Sequence, residues 1–181
     1  MTACCCCGAG CASPGTGRTA LHATTGHRVA IVGHSRGGHL ARATAARRPD
    51  LVSHAVSVCA DLQGLYGISS PTRMAVGVVR RGMHLARRTR DPDCFRARCS
   101  CGFIRDYTAP FPENQVRLTS IYTKGDGVVR WERTIVEEAD CVEVTGSHIG
   151  LIANRQAYGV VARARARGVA ECEPAVGRSC S

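Results

Sequence analysis

Aromatic residues make up only 4% of this 181-residue chain, and lysine is almost missing: Lys124 is the one exception among 24 cationic residues, the rest being arginine. A surface that tracks a nucleic-acid backbone clusters lysine and arginine and interleaves aromatic rings on which bases stack. The arginines here are scattered, so the formal charge of +10 is read without a nucleic-acid partner. No run approaches the ~20 apolar residues of a membrane helix, so no transmembrane segment is expected. A secretory leader is not expected either, since Met1-Thr2-Ala3 runs straight into Cys4 to Cys7 with neither a basic nor an apolar region. A cytoplasmic location is the expectation.

What is present describes a folded domain. Hydrophobic residues reach 44% and charged residues 21%, enough for one core and small for two. Twelve cysteines do not make an evident metal site. Four in succession do not read as a conventional zinc centre, because adjacent side chains point apart and the usual ligands are spaced as Cys-x₂₋₄-Cys, and Cys94, Cys99 and Cys101 lack a suitably spaced fourth ligand. Residues 1–24 read as low-complexity, disordered sequence, and residues 169–181 as a disordered tail.

From about Gly26 short apolar runs alternate with helical patterns. Arg28 to Val32 and Val52 to Cys59 read as strands, Gly38 to Arg48 as the helix between them, closed by Pro49. Val116 to Tyr122 and Cys141 to Val144 read as two further strands, and Leu151 to about Arg167 as a closing helix. Strands alternating with helices predict α/β layers around a mostly parallel sheet. Residues 64–112 look like an insertion containing one basic helix, Met74 to Arg90. Its apolar Met74, Val78 and Leu85, set against Arg80, Arg81, Arg87, Arg88 and Arg90, read first as an ordinary solvated face and second as a gate or an anionic interface.

Between the first strand and its helix lies Gly33-His34-Ser35-Arg36-Gly37-Gly38, a Gly-x-Ser-x-Gly pattern in the strand-turn-helix setting its chemistry needs. The pattern alone is weak, since a Gly-rich turn is the plain alternative. Its position gives it weight. An abrupt strand-to-helix turn holds the serine in a strained conformation above the carboxyl edge of a sheet, with glycines expected two before and two after so that the chain passes without a Cβ clash. The helix start aims its N–H groups at the same place, so the backbone N–H of Arg36 is the expected oxyanion donor.

A serine nucleophile needs a base and a carboxylate that orients it, here in the order Ser, acid, His. Asp126 in Lys124-Gly125-Asp126-Gly127-Val128 follows the third strand, although Asp-Gly is also a common hairpin turn. Asp61, just after the second strand, is the rival acid. His148 in Gly146-Ser147-His148-Ile149-Gly150 follows the fourth strand and is the candidate base. His34 and His39 flank Ser35 and read as packing or rim residues.

Together these segments resemble the α/β-hydrolase family, and within it bacterial lipase/esterase-like members with the Gly-His-Ser-Arg-Gly-Gly elbow. The resemblance runs from about Thr25 to Ala166. It implies Ser35 as nucleophile, Asp126 as acid, His148 as base, small-molecule or lipid esters as substrates, an acyl-enzyme intermediate, and no metal or organic cofactor. It also implies that residues 64–112 take the place of a cap or lid, which a disulfide among Cys94, Cys99 and Cys101 would staple.

The chain departs from the family pattern upstream. Members carry several strands before the nucleophile strand and a His-Gly loop beside the second oxyanion donor, whereas residues 25–168 correspond to the carboxyl half of the fold. Two expectations follow. The first strand should present an unpaired edge that invites self-association. Turnover should also be weak or absent, because one lost oxyanion donor typically costs about 10²–10³.

Overall fold

The computed structural model describes residues 23–65, 67, 69–87 and 102–170. In chain order these form β1 (Val29–His34), α1 (Arg36–Arg47), β2 (Val52–Val58), α2 (Ser70–Arg87), α3 (Gly102–Thr108), β3 (Arg117–Tyr122), β4 (Asp140–Glu143) and α4 (Arg155–Ala170). Short 3₁₀ turns lie at Trp131–Thr134 and Gly150–Ala153. The four strands make one parallel sheet in the order β1-β2-β3-β4. The expected α/β fold with a parallel sheet is thus the observed one.

Both faces of the sheet are covered, which explains why its strands are runs of small and β-branched residues and not alternating ones. Val56 and Val58 of β2 and Ile121 of β3 pack with Ala157, Val160 and Ala164 of α4. Ala55 and Leu118 pack with Ala41 and Ala45 of α1 and with Phe111. Parallel strands in this order put all four carboxyl ends on one edge, and the loops that leave that edge are the ones carrying Ser35, Asp61, Asp126 and the approach to His148. Among the described residues β1 has no strand on its outer side, and Val32 there is 48% exposed.

Several element ends differ from the expected ones. The first helix begins at Arg36, two residues early, because the turn uses Ser35 alone. The last helix begins at Arg155, since Gly150 to Ala153 close a 3₁₀ turn first. Within the insertion, α3 is an additional element of seven residues, too short to leave a periodic signal. It packs on α1, where Arg42 donates to the Tyr107 carbonyl and lies 5.2 Å from the Tyr107 ring centre. On α2 the residues Met74, Val78 and Leu85 are exposed, Leu85 at 85%. Cys94, Cys99 and Cys101 lie outside the described residues. Among those described, no helix is long and apolar enough to cross a membrane.

One buried histidine links the fold to pH. His39 on α1 holds its Nε2 2.9 Å from the Asp61 carbonyl, which also accepts from Tyr107 Oη at 2.6 Å. Burial lowers its pKa from 6.5 to about 4, against the opposing pull of that hydrogen bond. The unfolded chain therefore binds a proton between these values that the folded chain refuses. The contribution is complete above pH 6.5 and is lost as pH falls towards 4, a difference of about 3 kcal/mol. Urea unfolding at pH 7 and pH 4.5 should show this loss, and His39→Gln, which retains a donor but does not titrate, should remove most of it. An unchanged slope in that variant contradicts the assignment.

Candidate active site

The site is built from the ends of three strands. β1 ends at His34, and the next residue, Ser35, takes φ 52 and ψ −119 before the helix begins. This is the left-handed region that residues with a Cβ enter at a cost. The Ser35 N–H is fixed to the Val58 carbonyl at 2.7 Å, while its side chain makes no cap hydrogen bond with the helix and so is not consumed by the fold. Arg36 is the first residue of α1, whose first turn contains no acidic residue. Its backbone N–H stands at the amino end of that helix, next to Ser35.

The glycines of the elbow divide differently from expectation. A Cβ on Gly33 would lie 2.0 Å from the Gly37 carbonyl oxygen, and one on Gly38 would lie 2.4 Å from Ser57 Oγ and 2.7 Å from Ala60 Cβ. At Gly37 a Cβ would meet nothing within 4 Å. The steric demand thus falls on Gly33 and Gly38, and the expected demand on Gly37 is corrected: that residue only lends its carbonyl to the crowding of Gly33. Gly33→Ala should prevent the turn from forming, seen as loss of soluble protein or of a cooperative thermal transition, whereas Gly37→Ala should melt within a few degrees of the parent.

Asp126 and His148 meet at the next loops. His148 Nδ1 lies 2.9 Å from Asp126 Oδ1 and 2.8 Å from Oδ2, and both residues are buried. The carboxylate is anchored in turn, with Oδ1 accepting from the N–H of Val128 at 2.9 Å and of Val129 at 2.6 Å, across Gly127 at φ 68. Among the described residues the Asp-Gly pair does not head a hairpin: the chain passes one isolated bridge at Val129, with Ser69 N–H donating to the Val128 carbonyl at 2.7 Å, and enters the 3₁₀ turn at Trp131. The two loops touch along their backbones. Thr123 Oγ1 donates to the Gly146 carbonyl at 2.9 Å, and a Cβ on Gly125 would lie 2.6 Å from that oxygen.

Burial by itself would raise the Asp126 carboxyl, but the hydrogen bonds from His148 and from the Val129 and Val128 N–H groups outweigh it, so the group titrates below its ordinary value. An anionic Asp126 keeps the proton on His148 Nδ1 and leaves Nε2 as the basic nitrogen.

The rival acid is turned elsewhere. Asp61 Oδ2 accepts from Arg133 Nε at 3.0 Å and from the Gly67 N–H at 2.6 Å. The structure therefore brings Asp126, and not Asp61, to His148. Ser35 sits one residue from a direct contact with His148: the His34 and His148 rings lie 4.8 Å apart, and His34 Nε2 is 2.8 Å from the His148 carbonyl. No hydrogen bond joins Ser35 Oγ to His148. His34 thus touches the loop of His148, a contact the sequence could not reveal because the two residues are 114 apart.

Cys59, Asp126 and His148 are the one buried group of sulfur, oxygen and nitrogen donors found among the described residues, with donor atoms within 4.8 Å of one another. Burial and the neighbouring Asp126 push the thiol pKa far up, which works against the thiolate that metal binding requires. The Asp126 oxygens are already hydrogen-bonded. A cleft of about 510 Å³ lined by Glu113, Glu137, Glu138 and Asp140 opens at the opposite, amino end of β3 and β4.

Comparison with known proteins defines the class. Residues 18–117, more than half of the chain, match the family described as alpha/beta hydrolase fold, and the chain belongs to that family. The described residues hold part of that fold. Among solved structures, the chain is similar to a non-heme bromoperoxidase, BpoC, of Mycobacterium tuberculosis. The identity is 14% and the TM-score 0.52, over 86% of this chain and 72% of that one. It is also similar to human thioesterase 2, at 14% identity and a TM-score of 0.50 over 90% of this chain and 83% of that one. A search of curated protein sequences finds no match. The family is mostly one of hydrolases, and at these identities the structures speak for the fold alone.

Proposed function

We propose that this chain is a serine hydrolase of carboxylic esters, lipase/esterase-like, with Ser35 as nucleophile, His148 as base, Asp126 as its orienting acid and the Arg36 N–H as an oxyanion donor. The observation that carries this reading is the buried Asp126–His148 pair at 2.8 Å, at the same sheet edge as the left-handed Ser35. His148 Nε2 takes the Ser35 hydroxyl proton as Oγ bonds to the ester carbonyl carbon. The negative charge that forms on the carbonyl oxygen is met by the Arg36 N–H. Collapse breaks the ester C–O bond, and the departing alcohol takes its proton from His148. Water, deprotonated by the same nitrogen, then releases the acid and restores Ser35.

Hydrolysis of a short-chain p-nitrophenyl ester by the purified chain tests this. Turnover that requires Ser35 is the expected result. No turnover above that of Ser35→Ala would overturn the reading. The open edge of β1 supports the alternative, a non-catalytic pairing module. That reading predicts concentration-dependent association in sedimentation with no Ser35-dependent turnover.

A further inference from the structure

Among the described residues, two that are not glycine have a left-handed backbone: Ser35 at φ 52 and Cys59 at φ 51. They occupy equivalent places. His34 pairs with Val58 in the β1–β2 register, so Ser35 and Cys59 are the first residues beyond the paired ends of neighbouring strands. Each is pinned to the next strand over, Ser35 N–H to the Val58 carbonyl at 2.7 Å and Cys59 N–H to the Ile121 carbonyl at 2.8 Å. Such a conformation costs a residue with a Cβ about 1–3 kcal/mol and persists where its surroundings enforce it. Glycine would relieve it. At Ser35 the strain makes the elbow.

At Cys59 the same turn delivers a thiol, fully buried at 0% exposure, to the acid–base pair. Its Sγ, an Asp126 carboxylate oxygen and a His148 ring nitrogen lie within 4.8 Å of one another. In that dry setting the thiol stays protonated, which makes it a donor beside a group that can only accept. We propose that Cys59 is a positioning residue, whose thiol donates to the Asp126 carboxylate and holds it square to His148. The inference rests on reading Asp126 and His148 as the acid–base pair. Among the described residues, the titratable groups facing the pair are Cys59 from the end of β2 and His34 from the end of β1, and the nearby Lys124 is taken by Glu143 at 2.8 Å.

The test compares Cys59→Ala, which keeps the strained backbone without the donor, with Cys59→Ser, which restores a donor. Two readouts are taken: the low-field proton resonance of His148 Nδ1–H, which needs no turnover, and the acid limb of kcat/KM against pH. Without the thiol the carboxylate turns more of its charge on His148. Cys59→Ala should therefore shift the resonance, raise the acid limb and lower kcat/KM about tenfold, the worth of one hydrogen bond. Cys59→Ser should return all three towards the parent. A folded Cys59→Ala with the parent resonance and the parent limb overturns the proposal. Should Cys59→Ala fail to fold, Cys59→Ser decides alone: a parent-like resonance supports the donor, and a displaced one overturns it. A resonance that responds to the thiol in a chain without Ser35-dependent turnover would uphold Cys59 while removing the enzymatic reading.

Discussion

Ser35→Ala is expected to reduce ester hydrolysis to the residual level that binding and the oxyanion donor sustain without a nucleophile, the largest loss any single change in this chain should give. Removal of the nucleophile from a complete triad costs about 10⁶ in kcat, because the remaining members have no bond to make. The fold should survive. Alanine meets the same left-handed cost as serine, and the Ser35 hydroxyl makes no capping bond to lose. Ser35→Gly provides the sharper control, since it is equally without a hydroxyl yet frees the backbone at φ 52, and should gain about 1 kcal/mol of stability. Ester turnover and urea midpoints on the two variants measure both effects. Activity retained in either would place the nucleophile elsewhere.

Asp126→Asn ranks next, with an expected loss of about 10⁴ in kcat. An amide at this place can donate to His148 Nδ1, which moves the imidazole proton to Nε2, the nitrogen that must accept from Ser35. The Val128 and Val129 N–H bonds can still be made to the amide oxygen, so the loop keeps its shape and the loss is chemical. Asp61→Asn is the comparison. Its carboxylate serves Arg133 and the Gly67 N–H, so the variant should lose stability while its turnover per folded molecule stays within a few-fold of the parent. Reversed effects in the two variants would exchange the acids.

What the sequence made legible was whatever a local pattern carries. The β-branched runs gave the strands, the Gly-x-Ser-x-Gly segment gave the elbow, and the loops after the third and fourth strands gave Asp126 and His148, which the structure brings together at 2.8 Å. The α/β architecture followed from the alternation alone. What stayed hidden depends on contacts between distant segments. Cys59 carries no motif, and only the pairing of His34 with Val58 shows that it stands level with Ser35. The demand at Gly38 comes from Ser57 and Ala60 on the neighbouring strand and its exit. His34 reaches the His148 carbonyl across 114 residues. The exposed apolar residues of α2 show that a helical stripe reports a period and not what covers it.

The most direct measurement is covalent. A fluorophosphonate reports a serine only when a base has primed it, so the native chain is incubated with such a probe and the adduct is located by mass spectrometry of its peptides. The account predicts one adduct, on Ser35, lost in Ser35→Ala and greatly slowed in Asp126→Asn. An unmodified Ser35 in folded protein, or an adduct at another serine, would contradict it.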